Sequence, residues 1–387
     1  MATPVLDLSR SFARLGKGAP NHIDRVERAY LKEVIRREGW GLIRTIRGFL
    51  LFEPDRLARL PGYLEREDQD AADQASTIRA IASSRSSDLS IRKIMWRMPN
   101  GLGYINVGQT NLNAETFRAM MEMPDNRKVV YFHDTAALEN PGHQSEKKRS
   151  DLAEQLTVAI NFANQIVVPS DYVREQIESK MIGTGHRVPV VVAPLGVDLG
   201  TKPLQISRAG KPYFVALGTI NPAKNYGLLL SIWERMQTKM DEARIPELRI
   251  IGQRGFRDVE VFDKLDHSSM MGRTVFELGP LDDEEMKEQL AGAAGLLYPS
   301  PVEGFALPPF EAASLGVTTI SSPLRSVEVH LGDMAVYADP DDMYQWFQAI
   351  RELAAEDMNE QAKRRARLKD YRLPTWERHF ERVFSAM

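Results

Sequence analysis

Two glutamates with seven residues between them, Glu303 and Glu311, are the side chains of this sequence best placed to do chemistry. They flank the stretch Gly304-Phe305-Ala306-Leu307-Pro308-Pro309-Phe310. Proline fits the first turn of a helix but not its interior, so Pro308 and Pro309 mark a helix start. Glu303 then lies in the loop before that helix, and Glu311 in or near its first turn. The backbone N–H groups of Gly304, Phe305, Ala306 and Leu307 and the positive end of the helix can meet an anion, while the carboxylates accept hydrogen bonds from hydroxyl groups. A phosphate joined to a sugar suits that combination. The plainer alternative is that Glu311 offsets the helix dipole and Glu303 is a solvated loop charge.

The elements that would position these groups read as alternating strands and helices. In the second half, strands are expected at 212–217, 248–251, 275–278, 295–298, 318–321 and 335–337, with helices such as 228–240 and 284–290 between them. That alternation is the pattern of a parallel, doubly wound sheet. Asp282 and Glu285 are spaced as a capping box. The first half reads similarly, with strands at 5–8, 104–107, 129–132, 165–168 and 190–193 and a helix N-cap at Ser170. Residues 55–100 show no clear period. Parallel sheets bind ligands at the carboxyl ends of their strands. There stand Gly218 and Thr219, leading to Lys224 at a helix mouth, where a lysine supplies a point charge for a diphosphate. Arg254 follows the next strand and reads either as a second cation for the same phosphate or as a surface charge. His133 and Asp134 end a strand in the first half; they read as groups for a sugar hydroxyl and an acceptor, or as a backbone-held histidine and a turn aspartate. Gly16 and Gly18 lie in the loop after the first strand, ahead of His22 and Arg25, and Gln109 follows the 104–107 strand.

These segments together resemble the retaining glycosyltransferases of family 4. Glu303 to Glu311 is similar to that family's paired-glutamate signature, residues 326–340 to its downstream segment, and residues 217–225 to the phosphate-binding loop of its C-terminal domain. The resemblance implies an α/β fold of GT-B type, two facing Rossmann-like doubly wound domains with an interdomain cleft. It implies an acceptor-binding domain over 1–200, a nucleotide-sugar domain over 201–372, and a C-terminal helix, 373–387, crossing back to the first domain. By resemblance Glu311 holds the ribose and Glu303 the transferred sugar, His133 and Asp134 lie near that sugar, and Gly16, Gly18, His22, Arg25 and Gln109 form the acceptor side. The family's arginine beside the lysine is absent, since Thr219 and Ala223 occupy its two places. The implied enzyme is a hexosyltransferase acting on a nucleoside diphosphate sugar, GDP-mannose first and a UDP-sugar second, with a glycan or lipid-linked acceptor. A nucleotide-sugar epimerase, a phosphorylase of the same fold and a non-catalytic nucleotide-sugar-binding module are the alternatives.

Composition narrows the classes further. A net charge of −3 over 387 residues argues against a nucleic-acid binder. With no cysteine there is no disulfide, thiolate metal site or thiol nucleophile. The acidic pairs Asp282-Asp283 and Asp341-Asp342 read as helix caps, so neither a metal nor a cofactor is expected. No apolar run approaches the roughly 20 residues that span a bilayer, and the start lacks the form of a signal peptide, so a cytoplasmic protein is expected. Between Arg25 and Arg59 there are nine basic against five acidic residues, and within 40–52 apolar positions 42, 43, 46, 49 and 50 share one helical stripe beside Arg44 and Arg47. That stripe reads as an amphipathic helix, facing either the protein core or the inner surface of a membrane.

Overall fold

The computed structural model describes residues 2–17, 21–64, 70–87, 91–123, 125–139, 145–199, 210–255, 258–369, 371–385 and 387. The chain divides into two compact units. One comprises Met1–Leu138, Glu146–Leu195 and Trp376–Met387, the other Glu139–Ser145 and Gly196–Thr375.

In the first unit, the described strands are β1 (Thr3–Asp7), β2 (Trp40–Thr45), β3 (Gly48–Phe52), β4 (Ser84–Ser86), β5 (Leu102–Asn106), β6 (Arg127–Tyr131), β7 (Gln165–Val168) and β8 (Val190–Val192). They form one sheet in the order β4-β3-β2-β1-β5-β6-β7-β8. Pairing is parallel except on either side of β3. The order reverses between β1 and β5, so the carboxyl ends of those two strands border the unit's switch point. Tyr104, Val130, Ile166 and Val168 from the central strands are fully buried, as parallel strands covered on both faces require. The helix Trp376–Phe384 belongs to this unit. His379 ties it down: its ring accepts a hydrogen bond from the Tyr30 hydroxyl at 2.8 Å and donates to the Ala193 carbonyl at 3.0 Å. Phe380 meets Tyr30 edge-on, with ring centroids 5.1 Å apart.

Residues 40–52 are not the amphipathic helix expected from their apolar spacing. They form the antiparallel hairpin β2–β3, in which Leu42, Ile43, Phe49, Leu50, Leu51 and Phe52 are buried. Gly48 holds φ at 130°, which no helix accommodates, and the Thr45 hydroxyl donates to the Gly48 carbonyl at 3.0 Å to close the turn. Only the tip is open, with Ile46 85% exposed. The same apolar positions satisfy a helical period and a pair of strands buried on both faces, and burial decides for the strands. The described residues of 55–100 form the helices Pro54–Leu57, Pro61–Leu64, Ala71–Ile81 and Arg92–Met95 together with β4.

In the second unit the described strands are β9 (Tyr213–Leu217), β10 (Glu247–Ile251), β11 (Val275–Gly279), β12 (Gly295–Tyr298), β13 (Thr319–Ser321) and β14 (Val336–Tyr337). The order is β11-β10-β9-β12-β13-β14, parallel throughout. Alternation along β9 separates two cores: Phe214 and Ala216 pack with Trp233, Ile250 and Trp346 on one face, Val215 and Leu217 with Leu290 and Leu296 on the other. The expected helices appear as Tyr226–Lys239 and Asp283–Gly292. Asp282 and Glu285 close a capping box, and Asp342 caps the helix Met343–Ala355. Among the described residues no helix is long and apolar enough to cross a membrane.

Candidate functional site

In the second unit the order of strands reverses between β9 and β12, and the loops leaving these two neighbours are the ones that carry Lys224 and Glu303. After β9 the chain runs through Gly218, Thr219 and Ile220 against the loop that follows β10. Gly218 N–H donates to the Ile251 carbonyl at 3.0 Å, Ile220 N–H to Gln253 at 2.9 Å, and Gly255 N–H to Ile220 at 3.0 Å. The approach is so close that a Cβ on Gly252 would lie 2.1 Å from the Gly218 carbonyl oxygen. Thr219 is held over Gly255, where a Cβ would meet its methyl group at 2.4 Å. A single 3-10 turn, Pro222–Lys224, and a left-handed Asn225 (φ 53°) then start the helix Tyr226–Lys239.

From β12 the loop reaches Ala306, which adopts φ 66°, ψ 60° at the start of the helix Leu307–Ser314. A left-handed backbone at a residue other than glycine costs about 1 kcal/mol, and such strain gathers at functional sites. No side chain caps this helix start at Ala306. Phe305 anchors the loop, its ring 4.8 Å from Phe310 and 6.0 Å from His330 of the helix Arg325–Leu331. Glu311 follows in the second helical turn, 5% exposed.

The two loops meet through charge. The Lys224 ammonium forms an ion pair with the Glu303 carboxylate, each side chain about one-fifth exposed. Lys224 Nζ also donates to the Tyr298 hydroxyl at 3.1 Å and lies 4.9 Å from that ring's centre. Burial, reinforced by Glu303, holds the Tyr298 phenol well above its ordinary pKa, so it stays protonated. Sequence reasoning left Tyr298 as a strand residue. Its one signal was a phenol ending a buried strand just before Pro299-Ser300.

Arg254, which the sequence offers as a second cation or a surface charge, is already engaged by carboxylates. Its guanidinium grips Glu277 of β11 in a bidentate pair at 2.8 and 2.7 Å and contacts Asp266 at 2.7 Å. These two carboxylates raise its pKa further and engage its Nε and Nη2 donors.

In the first unit, the ends of β1, β5 and β6 hold a different chemistry. His133, 6% exposed, places Nε2 2.9 Å from the Val107 carbonyl. A carbonyl only accepts, so Nε2 carries the proton and Nδ1 offers a lone pair. Nδ1 is buried with no protein partner. Burial, with His22 nearby, pushes the His133 pKa down to about 3. The His22 ring is exposed and lies 5.7 Å from that of His133, so the structure brings these two together. Arg25 follows in the first turn of the helix His22–Arg36, which Asn21 and Asp24 close as a capping box. Asp134 accepts from Ala136 N–H at 3.1 Å, two residues on, in the turn ahead of the short helix Ala136–Glu139. Gly16 (φ 69°) packs against Ala71 instead, and Gly18 lies outside the described residues. Gln109 has a left-handed backbone (φ 56°) fixed by Asn106, whose side chain accepts from its N–H at 2.9 Å.

Sequence reasoning also missed Glu27, which is fully buried on the helix His22–Arg36. One oxygen accepts from the Ser11 N–H at 2.9 Å and from its hydroxyl; the other has no partner. Burial raises its pKa to about 8. Asp7 at the end of β1 is likewise raised by burial, against hydrogen bonds from Asn111, Ser9 and Tyr104.

Residues 211–356 match the family model described as glycosyl transferases group 1. The chain is similar to O-antigen chain mannosyltransferase B of Escherichia coli, 28% identical over 227 residues, which cover 56% of this chain and 58% of that protein. It is similar as well to the serotype-specific mannosyltransferase WbdA of Escherichia coli, 23% identical over 261 residues, covering 62% of this chain and 30% of that protein. The alignments thus span under two thirds of one relative and under a third of the other. Among solved structures, HepE of Anabaena in complex with UDP superposes with a TM-score of 0.62 at 14% identity, covering 100% of both chains. A mutant of S. aureus TarM in complex with fondaparinux, alpha-GlcNAc-glycerol and UDP gives 0.59 at 14% identity, covering 79% of this chain and 60% of that one. The fold is that of the GT-B glycosyltransferases, with two Rossmann-like units in one chain.

Proposed function

We propose that this chain is a retaining hexosyltransferase of family 4 that moves mannose from GDP-mannose to a glycan or lipid-linked acceptor in surface polysaccharide synthesis. The observation that carries the reading is the meeting of Lys224 and Glu303 at the β9–β12 switch point, within the segment that matches group 1 glycosyl transferases. The mannosyl donor and the polysaccharide role rest on the names of the relatives. A cytoplasmic place for the enzyme belongs to the same proposal, since nucleotide sugars are its substrates.

Leaving-group charge decides the mechanism. As the bond between the anomeric carbon and the diphosphate breaks, negative charge grows on the phosphate, and preorganised donors there are the largest lever on the rate. Lys224 and the N–H groups of Gly304 to Leu307 supply them. The diphosphate takes the place of Glu303 beside the ammonium, and the freed carboxylate accepts hydrogen bonds from the sugar hydroxyls. Glu311 holds the ribose. The acceptor oxygen attacks the anomeric carbon on the face the phosphate leaves, and its proton passes to the departing phosphate oxygen, so neither glutamate becomes a covalent nucleophile. In the first unit His133 Nδ1, a neutral acceptor at any working pH, receives a hydrogen bond from a sugar hydroxyl, and His22, Arg25 and Gln109 belong to the acceptor side.

The test is GDP release from GDP-mannose with and without a mannose-containing glycan acceptor, with the anomeric configuration of the product read by NMR. Release that requires acceptor, gives an α-linked product and falls at least about tenfold in Glu303→Gln supports the reading. Turnover of the nucleotide sugar without any acceptor would assign the chain to the epimerases instead, and inversion of configuration would sink the retaining mechanism.

A further inference from the structure

Tyr298 ends β12 at 2% exposure, a position where phenylalanine would fill the same core volume. A buried hydroxyl is costly unless partnered. Here its partner is the Lys224 ammonium at 3.1 Å, which in turn pairs with the Glu303 carboxylate at the switch point. An ammonium has three donors and no acceptor, so the phenol oxygen accepts from Lys224 and its own proton faces an acceptor. The rest of the lysine is guided as well. A Cβ on Gly218, whose φ is 128°, would stand only 3.4 Å from Lys224 Cε, so the stem runs across a bare backbone to reach the Tyr298 ring.

We propose that Tyr298 is a positioning residue whose hydroxyl and ring hold the Lys224 ammonium at the switch point, on Glu303 when no diphosphate is bound and on the diphosphate when one is. The proposal rests on the reading of this site as the one that takes the nucleotide sugar. A lysine is a flexible stem with a rotatable head, and without a fixed acceptor it loses aim once Glu303 turns to the sugar. The tyrosine supplies that acceptor from a strand, the most rigid element available.

The experiment is calorimetric titration of GDP and UDP, with guanosine and uridine as controls, into the wild-type chain, Tyr298→Phe, Lys224→Ala and the double variant. The expected result for the diphosphate that binds the wild type is an affinity about tenfold weaker in Tyr298→Phe, because a lysine no longer aimed by the phenol must be immobilised as the ligand binds. Affinity for the matching nucleoside stays unchanged, and adding Tyr298→Phe to Lys224→Ala weakens diphosphate binding no further. Equal weakening of nucleoside and diphosphate, an undiminished effect in the Lys224→Ala background, or no weakening at all overturns the positioning role. If Lys224→Ala binds the diphosphate as the wild type does, or neither diphosphate binds the wild type, the reading of the site itself fails, and this proposal with it.

Discussion

Three buried titratable groups of the first unit give its stability a maximum near pH 6.5. Glu27 has its pKa raised from 4.5 to about 8 by burial, whereas burial lowers His133 and His379 from 6.5 to about 3 and about 4. A carboxyl whose folded pKa lies above its unfolded value contributes stability that is complete below pH 4.5 and is lost as pH rises through about 8. The histidines are opposite in sense: the folded chain keeps them neutral, so their contribution is present above pH 6.5 and is lost as pH falls towards 4 and 3. Each titrating group changes stability by about 1.4 kcal/mol per pH unit within its window. From pH 6.5 to 8 Glu27 alone removes about 2 kcal/mol, and Asp7, also raised, acts in the same sense. From pH 6.5 to 5 the two histidines remove about 4 kcal/mol while Glu27 returns about 2 and Asp7 adds to that return, leaving a net loss of at most about 2 kcal/mol. Urea unfolding across pH 5 to 8, with hydrogen exchange of first-unit peptides to assign the transition, measures this. Glu27→Gln keeps an uncharged side chain of the same shape; it should make the limb above pH 6.5 shallower, and the limb below it steeper, by about 1.4 kcal/mol per pH unit. A wild-type chain whose first unit grows steadily more stable up to pH 8, or a Glu27→Gln variant that keeps the full wild-type alkaline decline, would refute the assignment.

Three further outcomes follow from the second unit. Glu303→Gln removes the charged partner of Lys224 and the proposed acceptor for sugar hydroxyls, so acceptor-dependent GDP release should fall about 10- to 150-fold, the worth of one or two charge-assisted hydrogen bonds. Steady-state kinetics checks it, and an unaltered kcat/KM would contradict the role. Gly252→Ala forces a Cβ to 2.1 Å from the Gly218 carbonyl at a φ of 152°. It should lower the melting temperature by several degrees and abolish nucleotide stabilisation together, since strain of about 3 kcal/mol must be relieved by moving the loop. Arg254→Gln should change nucleotide affinity by less than about threefold, because the guanidinium is engaged by Glu277 and Asp266 and is about a third exposed, where ion pairs contribute little; a tenfold loss by calorimetry would restore it to phosphate binding.

What the sequence shows of this molecule follows the range over which each interaction acts. The caps at Ser170 and Asp282 are set by residues two or three positions away, and both appear in the structure. The strands of the second unit are apolar runs bounded by turn residues, and all six expected there are present. The hairpin β2–β3 was hidden because apolar positions 42, 43, 46, 49 and 50 fit a helix as well as two strands, and its choice depends on a core made by distant segments. Arg254 illustrates the same limit for charge. Glu277, 23 residues away, becomes its partner only because β11 runs beside β10. Lys224 and Glu303 are 79 residues apart, and no local pattern announces their ion pair. Their meeting follows from β9 and β12 being neighbours where the strand order reverses.

That ion pair is well suited to be exchanged. Each partner is only about one-fifth exposed, enough burial to make an unpaired charge unfavourable, yet the two remain in reach of water. Breaking such a pair outright is costly, but exchanging it is not when each charge finds a new partner on the ligand. A diphosphate brings more negative charge than one carboxylate, and it also meets the uncapped helix start behind Ala306, which Glu303 in its present pose leaves to solvent or ligand. Glu303, released, is left near Tyr298 with accepting oxygens that only hydroxyl or N–H donors can satisfy. Without ligand, the site therefore keeps its two opposite charges neutralised by each other. With ligand, each finds a separate partner on the same molecule, the phosphate for the lysine and the sugar for the carboxylate. A nucleoside diphosphate alone satisfies only the first of these, so its affinity should gain from Glu303→Gln, which frees the lysine beforehand, while the intact nucleotide sugar should lose affinity in the same variant. Calorimetry on GDP and GDP-mannose separates the two signs, and equal shifts for both ligands would show that the carboxylate does not pass from lysine to sugar.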